Sequence, residues 1–125
     1  MTQEKKQLLL QDLCTRLPYG VKVTWDGKHP LTVTPHIYCA IASEDNINNL
    51  PKLLLRLMSS MTEEEKKEYH KTLFYSEAYD EANKINGKIT FKTYDYLNFI
   101  HIDFRGLIHK GLAIEVTEEN NPYKQ

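Results

Sequence analysis

The sequence has few of the residues that mark specialised classes of protein, with two cysteines, five glycines and five prolines in 125 residues. So little glycine and proline excludes collagen-like and low-complexity chains. Two cysteines, Cys14 and Cys39, are too few for the disulfide framework of a small secreted scaffold. We interpret both as buried small hydrophobic residues, Cys14 on the apolar stripe of a helix and Cys39 on the apolar face of a strand.

Long hydrophobic runs are also missing. The longest uncharged apolar runs, residues 8–10 and 37–42, are three and six residues long, whereas a membrane-spanning helix needs about 20. The leucine run near the start breaks at Gln11 and Asp12, so we expect no signal peptide. The sequence therefore predicts a cytoplasmic protein with no membrane partner.

Neither sign of charge dominates, since 16 Lys and Arg residues face 17 Asp and Glu residues. A strongly basic nucleic-acid binder and an acidic mimic are both disfavoured. The length fits one domain, 1–125, with a single sizeable core. Its final residues, 118–125, are polar and are predicted to be frayed.

The periodicity predicts an α+β fold that begins with a helix over residues 3–17. Thr2 is a candidate N-cap, and Pro18 with Gly20 ends the helix. The apolar side chains of this helix recur at i, i+3, i+4 and i+7, namely Leu10, Leu13, Cys14 and Leu17.

Three short strands are predicted next, over residues 21–26, 31–34 and 36–42, because apolar and polar residues alternate in each. Prolines between them suggest a bent three-stranded meander, with an SH3-like partial barrel as one form of it. Trp25 shares a face with Val21 and Val23, and we interpret it as a core anchor.

The C-terminal half is predicted to be mainly helical. Thr62 and Glu65 form a capping box that starts a helix running to about residue 75, and a second helix is expected over residues 93–101. The leucine run at 53–55 fits either a buried strand or a helix. A short last strand is predicted over residues 112–116.

One histidine and one carboxylate stand close together, His101 and Asp103. On a strand they would share a face and could act as a base and its orienter, or as two metal ligands. The alternative is that Asp103 is a helix cap and His101 a partly buried polar residue. No metal site or cofactor is predicted, because no further ligand has a supporting spacing.

Residues 84–110 carry a local basic surplus of three charges, interleaved with aromatic residues. Basic groups neutralise phosphates and aromatic faces stack on bases, so this stretch is a candidate nucleic-acid surface. The alternative is aromatic core residues beside a solvated lysine face. The candidate basic residues are Lys84, Lys88, Lys92, Arg105 and Lys110.

The segment 103–108 has a simpler structural interpretation. Asp103 caps a turn, and Arg105 is left for a carboxylate such as Asp95 or Asp12. Asp103 and Arg105 would then form a structural lock that holds the C-terminal turn against the rest of the domain.

Several short segments together resemble a family of short uncharacterised proteins of gut anaerobic bacteria and their prophages or mobile elements. They are Asp-Leu-Cys-Thr-Arg-Leu-Pro-Tyr-Gly-Val-Lys-Val at 12–23, Leu-Met-Ser-Ser-Met-Thr-Glu-Glu-Glu at 57–65, Tyr-Leu-Asn at 96–98, Asp-Phe-Arg-Gly-Leu-Ile at 103–108 and Gly-Leu-Ala at 111–113. The family commonly has Trp where this chain has Tyr96, and residues 28–57 depart most from its pattern. The resemblance implies a phage or mobile-element origin, and it transfers no activity and no site residues.

These observations favour a small non-enzymatic interaction protein that binds another protein or itself. The expected contact surface is an exposed apolar patch around residues 53–58. One alternative is a weak nucleic-acid-binding accessory protein, and another is a hydrolase centred on His101 and Asp103.

Overall fold

The computed structural model describes residues 2–73 and 91–123. Within those two ranges the protein is α+β, with helices on a four-stranded mixed sheet. The helices are α1 (Gln3–Arg16), α2 (Pro35–Ala42), α3 (Glu63–Thr72) and α4 (Phe91–Phe99), and the strands are β1 (Lys22–Thr24), β2 (Leu31–Thr32), β3 (Lys52–Leu55) and β4 (Ala113–Glu115). No helix in these ranges is long and apolar enough to cross a membrane.

Helix α1 forms where the sequence predicts it. The Thr2 hydroxyl accepts a hydrogen bond from the Lys5 N–H at 3.2 Å, which satisfies one of the unpaired donors of the first turn. After Arg16 the chain makes a short 3₁₀ turn and leaves it through Gly20, whose φ of 72° is accessible to glycine at little cost. Leu9 and Leu13 are fully buried against the sheet and face the rest of the core.

The predicted third strand is wrong, because residues 35–42 form helix α2. Thr34 caps it by accepting from the Ile37 N–H at 3.2 Å. Pro35 fits the first helical position, where a missing N–H costs nothing and the fixed φ suits a helix. The three-stranded meander and the partial barrel are therefore wrong as well.

The sheet has the strand order β2-β1-β3-β4. Strand β1 pairs antiparallel with β2 and β3, and β4 lies parallel to β3. The ambiguous leucine run at 53–55 is the central strand β3, which is buried on both faces. The predicted last strand is present as β4, which pairs parallel with β3 at one edge of the sheet.

Trp25 and the two cysteines are not core residues, so those interpretations were wrong. Strand β1 ends at Thr24, and Trp25 lies beyond it with 52% of its surface exposed. Its indole N–H donates to the Asn49 carbonyl at 2.9 Å. Cys14 and Cys39 are both exposed free thiols.

The capping box at the start of α3 is confirmed. The Glu65 N–H donates to the Thr62 hydroxyl at 3.1 Å, and the Thr62 N–H donates to the Glu65 carboxylate at 2.9 Å. Helix α3 packs beside α4, which starts and ends two residues before the predicted 93–101.

The tail that was expected to fray carries Tyr123 between two strands. Its hydroxyl accepts from the Lys22 N–H at 2.8 Å and donates to the Leu54 carbonyl at 2.7 Å. Continuing the β1–β3 register, Val23 with Leu53, would place Lys22 opposite Leu54. The Tyr123 hydroxyl therefore bridges β1 and β3 one residue beyond their last paired position.

Candidate functional site

The candidate site is a groove between α3, α4 and the segment 103–105, with a volume of about 420 Å³. We call it the aromatic groove. Its lining is mostly aromatic or apolar, with one carboxylate and one guanidinium, and consists of Met58, Tyr69, Tyr94, Leu97, Asp103, Phe104 and Arg105. This volume lies within the range of about 300–1,000 Å³ that is usual for ligand sites.

A buried charge network stands behind one wall of the groove. Asp12 and Arg16 are fully buried on α1, one helical turn apart, with 2.7 Å between Arg16 Nε and Asp12 Oδ2. Arg105 reaches the same carboxylate, with 2.6 Å between its Nη1 and Asp12 Oδ1. One buried carboxylate therefore holds two guanidinium groups, one from α1 and one from the groove.

Both guanidinium groups of this network lie over the ring of Phe104. The distance to the ring centroid is 5.2 Å for Arg16 and 4.6 Å for Arg105, within the range of a cation–π contact. On the groove side the Tyr94 ring lies 5.1 Å from Phe104 in a tilted arrangement. Arg16 also donates from Nη2 to the Ile102 carbonyl at 2.7 Å. The wall is thus fixed to α1 before anything enters the groove.

Asp103, the neighbour of Phe104 on the lining, is bonded to backbone. Its two carboxylate oxygens accept from the Leu107 and Ile108 N–H groups, each at 2.9 Å. This is the capping role named as its alternative. The carboxylate orders the turn that ends at Gly111, where φ is 76°.

His101 is held apart from Asp103. Its ring stacks on Tyr123 with 3.6 Å between centroids and 11° between planes, and its backbone φ is 63°. Burial, followed by the nearby charges of Arg16 and Arg56, lowers the pKa of His101 to about 4. The structure does not bring His101 and Asp103 together as a base and its orienter, since no hydrogen bond joins them and both oxygens of Asp103 are occupied.

Three of the five candidate nucleic-acid residues lie in the described part of the chain, and two of these, Arg105 and Lys110, are in contact. Lys92 is exposed on α4, and Lys110 donates from Nζ to the Arg105 carbonyl at 3.1 Å. Arg105 is paired with Asp12, one of the two carboxylates named for it. Lys84 and Lys88 lie outside the described residues.

The predicted apolar patch around residues 53–58 is wrong in its main part. Leu53, Leu54 and Leu55 are buried in β3, and only Met58 is exposed there, at 37%. Met58 instead belongs to the lining of the aromatic groove. Exposed apolar surface therefore comes from residues that are distant in sequence and meet only in the fold.

The prediction for Arg105 named Asp12 as one of two partners, but the contact of Arg16 with the same carboxylate and the groove itself were not predicted. The signal for the first half of the network was available, since Asp12 and Arg16 are four residues apart on a predicted helix, where such pairs interact. Nothing local could have joined Tyr69 to Tyr94, which come from different helices. In the part of the chain that the structure describes, no group of three or more His, Cys, Asp or Glu side chains could hold a metal ion.

No protein-family model, no curated protein and no solved structure matches the chain. The geometry of the groove therefore has to carry the functional interpretation by itself.

Proposed function

We propose that the protein is a non-enzymatic interaction protein, and that it takes an apolar side chain of a partner protein into the aromatic groove. The observation that carries this proposal is the groove itself, where aromatic side chains from two helices and a turn meet beside exposed Met58. With the sequence resemblance, the proposal extends to a cytoplasmic accessory factor of a phage or mobile element.

The side chains in the groove are of the kind that dominates protein interfaces. Tyr94 is 41% exposed and Met58 37% exposed. Aromatic residues and Met are enriched in interface cores. A tyrosine offers a large contact area with few torsion angles to immobilise, and the flexible Met side chain adapts to the shape of a partner. Burial of these side chains under a partner would stabilise the complex through the hydrophobic effect.

The wall of the groove supports the same function because it is already rigid. The Phe104 ring contacts the Arg105 and Arg16 guanidinium groups, and Asp12 fixes both of these. A preformed surface loses less conformational entropy on association than a mobile one. The groove can therefore bind a short segment of a partner without rearranging.

A display selection with short random peptides tests the proposal. Peptides are selected on the folded protein and their affinities are then measured for Tyr94→Ala and Met58→Ala. We expect each variant to bind the selected peptides about tenfold more weakly, as for an interface anchor. Both side chains are partly exposed, so the variants should remain folded.

Phe99→Ala is the matched control, since Phe99 is on the same helix, is 62% exposed and lies outside the groove lining. Its effect should stay within about twofold. Selected peptides that depend on Phe99 and not on Tyr94 would contradict the proposal. Oligonucleotide binding that weakens steeply with added salt would instead favour the nucleic-acid alternative.

A further inference from the structure

Resting on this proposed function, we infer that Arg105 selects the partner by binding a carboxylate, so that the docked segment carries Asp or Glu beside its apolar anchor. Arg105 has hydrogen-bond donors that face no acceptor among residues 2–73 and 91–123, and a carboxylate of the partner would supply one.

Each carboxylate oxygen at the groove and behind its wall already accepts one hydrogen bond. Asp12 accepts from Arg16 on one oxygen and from Arg105 on the other. Asp103 accepts from two backbone N–H groups, one on each oxygen.

Arg105, in contrast, has N–H donors without a partner in the described structure. Arg105 uses Nη1 alone, for Asp12 and for a long contact of 3.5 Å to the Thr15 hydroxyl. Its Nε and Nη2 groups make no hydrogen bond to any residue in the described ranges. Arg16, on the same carboxylate, also has a donor without a partner, since its Nη1 is buried and makes no hydrogen bond with a described residue.

The position of Arg105 leads to the same conclusion. Asp12 and Asp103 balance the charges of Arg16 and Arg105, but Asp103 accepts from backbone N–H groups and makes no hydrogen bond with Arg105. Of the two guanidinium groups only Arg105 lines the groove, where its side chain remains 21% exposed. A partly desolvated arginine with spare donors favours an anion with acceptors in one plane.

A carboxylate fits this arginine better than a neutral acceptor does. The Phe104 ring supports the guanidinium at 4.6 Å, and Asp12 fixes one end of it. The remaining edge, Nε and Nη2, has the spacing of a carboxylate and can donate two parallel hydrogen bonds. The hydroxyls of Tyr69 and Tyr94, which make no hydrogen bond in the described structure, add donors on the same lining.

Two short-peptide display libraries test the inference on the full chain. They are identical except that one encodes Asp and Glu where the other encodes Asn and Gln. We expect the acidic library to yield the tighter binders, and replacing the acidic residue of a selected peptide by its amide should weaken binding about tenfold to a hundredfold. This change is on the peptide and leaves the fold of the protein untouched.

A double-mutant cycle assigns the effect to Arg105. Arg105→Gln should weaken the acidic peptide about tenfold more than the amide peptide, because the loss of a wall group affects both peptides and the loss of the carboxylate contact affects only the acidic one. Arg105→Lys keeps the charge next to Asp12 and loses the two-pronged geometry, so it should fall between. If Arg105→Gln does not fold, Arg105→Lys and the peptide substitution still complete the comparison.

The outcomes separate the inference from the proposed function. Amide peptides that bind as tightly as acidic ones, with the same dependence on Tyr94, would overturn the carboxylate and leave the interaction protein in place. Tighter binding of phosphorylated peptides than of acidic ones would overturn the carboxylate in favour of a phosphate. A dimer in light scattering that disappears in Tyr94→Ala, with no peptide binding, would assign the groove to a second copy of the chain and overturn the partner segment. A failure to select any peptide that depends on Tyr94 would overturn both.

Discussion

Two arginine–carboxylate contacts of this protein differ sharply in their exposure to water. Asp12 and Arg16 are fully buried, whereas the side chains of Arg56 and Glu65 are about one-fifth exposed. The buried carboxylate serves two guanidinium groups. The exposed pair is one-to-one, with distances of 2.8 and 2.7 Å between its paired N and O atoms.

The difference in burial changes what each contact does. Taking charges out of water costs several kcal/mol per ion, so a buried pair depends on its full set of partners. A pair that is about one-fifth exposed keeps part of its hydration and depends less on a full set of partners. We conclude that the Asp12 network holds the groove wall in one arrangement, and that Arg56 and Glu65 orient the start of α3.

The largest effect is expected for Asp12→Asn, because it leaves the Arg16 and Arg105 charges without their carboxylate. The free energy of unfolding should fall by about 3–5 kcal/mol, measured by urea denaturation followed by circular dichroism. Asp45→Asn is the control, since Asp45 is exposed and makes no ion pair with a described residue. A loss for Asp12→Asn as small as for Asp45→Asn would remove the distinction between the two regions.

An intermediate effect on the free energy of unfolding is expected when the pH is lowered, because His101 lies near the charges of Arg16 and Arg56. Burial and the charges of Arg16 and Arg56 lower its pKa from 6.5 to about 4 in the folded state. Between these values the unfolded chain binds a proton that the folded chain does not, so stability falls as pH falls from 6.5 towards 4. Because water still reaches part of the ring, we expect a loss of about 1–2 kcal/mol.

The variant His101→Asn checks this assignment, since Asn tolerates the positive φ of this position and does not titrate there. The free energy of unfolding of the variant should depend less on pH between 6.5 and 4 than that of the natural protein. His109→Asn, at an exposed histidine, should keep the full dependence. An unchanged slope in His101→Asn would refute the assignment.

The smallest effect is expected for Glu65→Gln. Glutamine keeps the capping box with Thr62 and removes only the charge next to Arg56, so the free energy of unfolding should fall by about 1 kcal/mol or less.

The hydrogen bond from Arg56 lowers the pKa of Glu65 below its ordinary 4.5. The contribution of the pair is therefore present above pH 4.5 and is lost as pH falls through the lowered value. Denaturation of the variant and of the natural protein should show a smaller difference in acid than near pH 7. A larger loss than for Asp12→Asn would reverse the comparison.

Local chemistry explains which elements could be predicted. Thr2 and the Thr62–Glu65 box mark the starts of α1 and α3, because a cap acts within one turn of the chain. The same chemistry is present at Thr34 and Pro35, which cap and start α2. The apolar residues that follow also alternate, so residues 36–42 fit a strand as well. Helix α2 shows that alternation over a short run does not separate a strand from a helix.

Burial was less predictable, because it depends on where an element ends. Trp25 continues the alternating apolar pattern of Val21 and Val23, yet strand β1 ends at Thr24 and the indole is exposed to solvent. Tyr123, in a polar tail, has its hydroxyl between β1 and β3.

The sequence by itself determined the α+β class, the first helix and the capped start of α3, since periodicity and caps are short-range properties. Only the tertiary structure decided that Arg105 would share Asp12 with Arg16 and that Tyr69 would face Tyr94 across a groove. Arg105 and Asp12 are 93 residues apart in the chain, and contacts of that separation depend on how helices and strands pack. No local pattern encodes such packing, because it is set by the burial of the whole core at once.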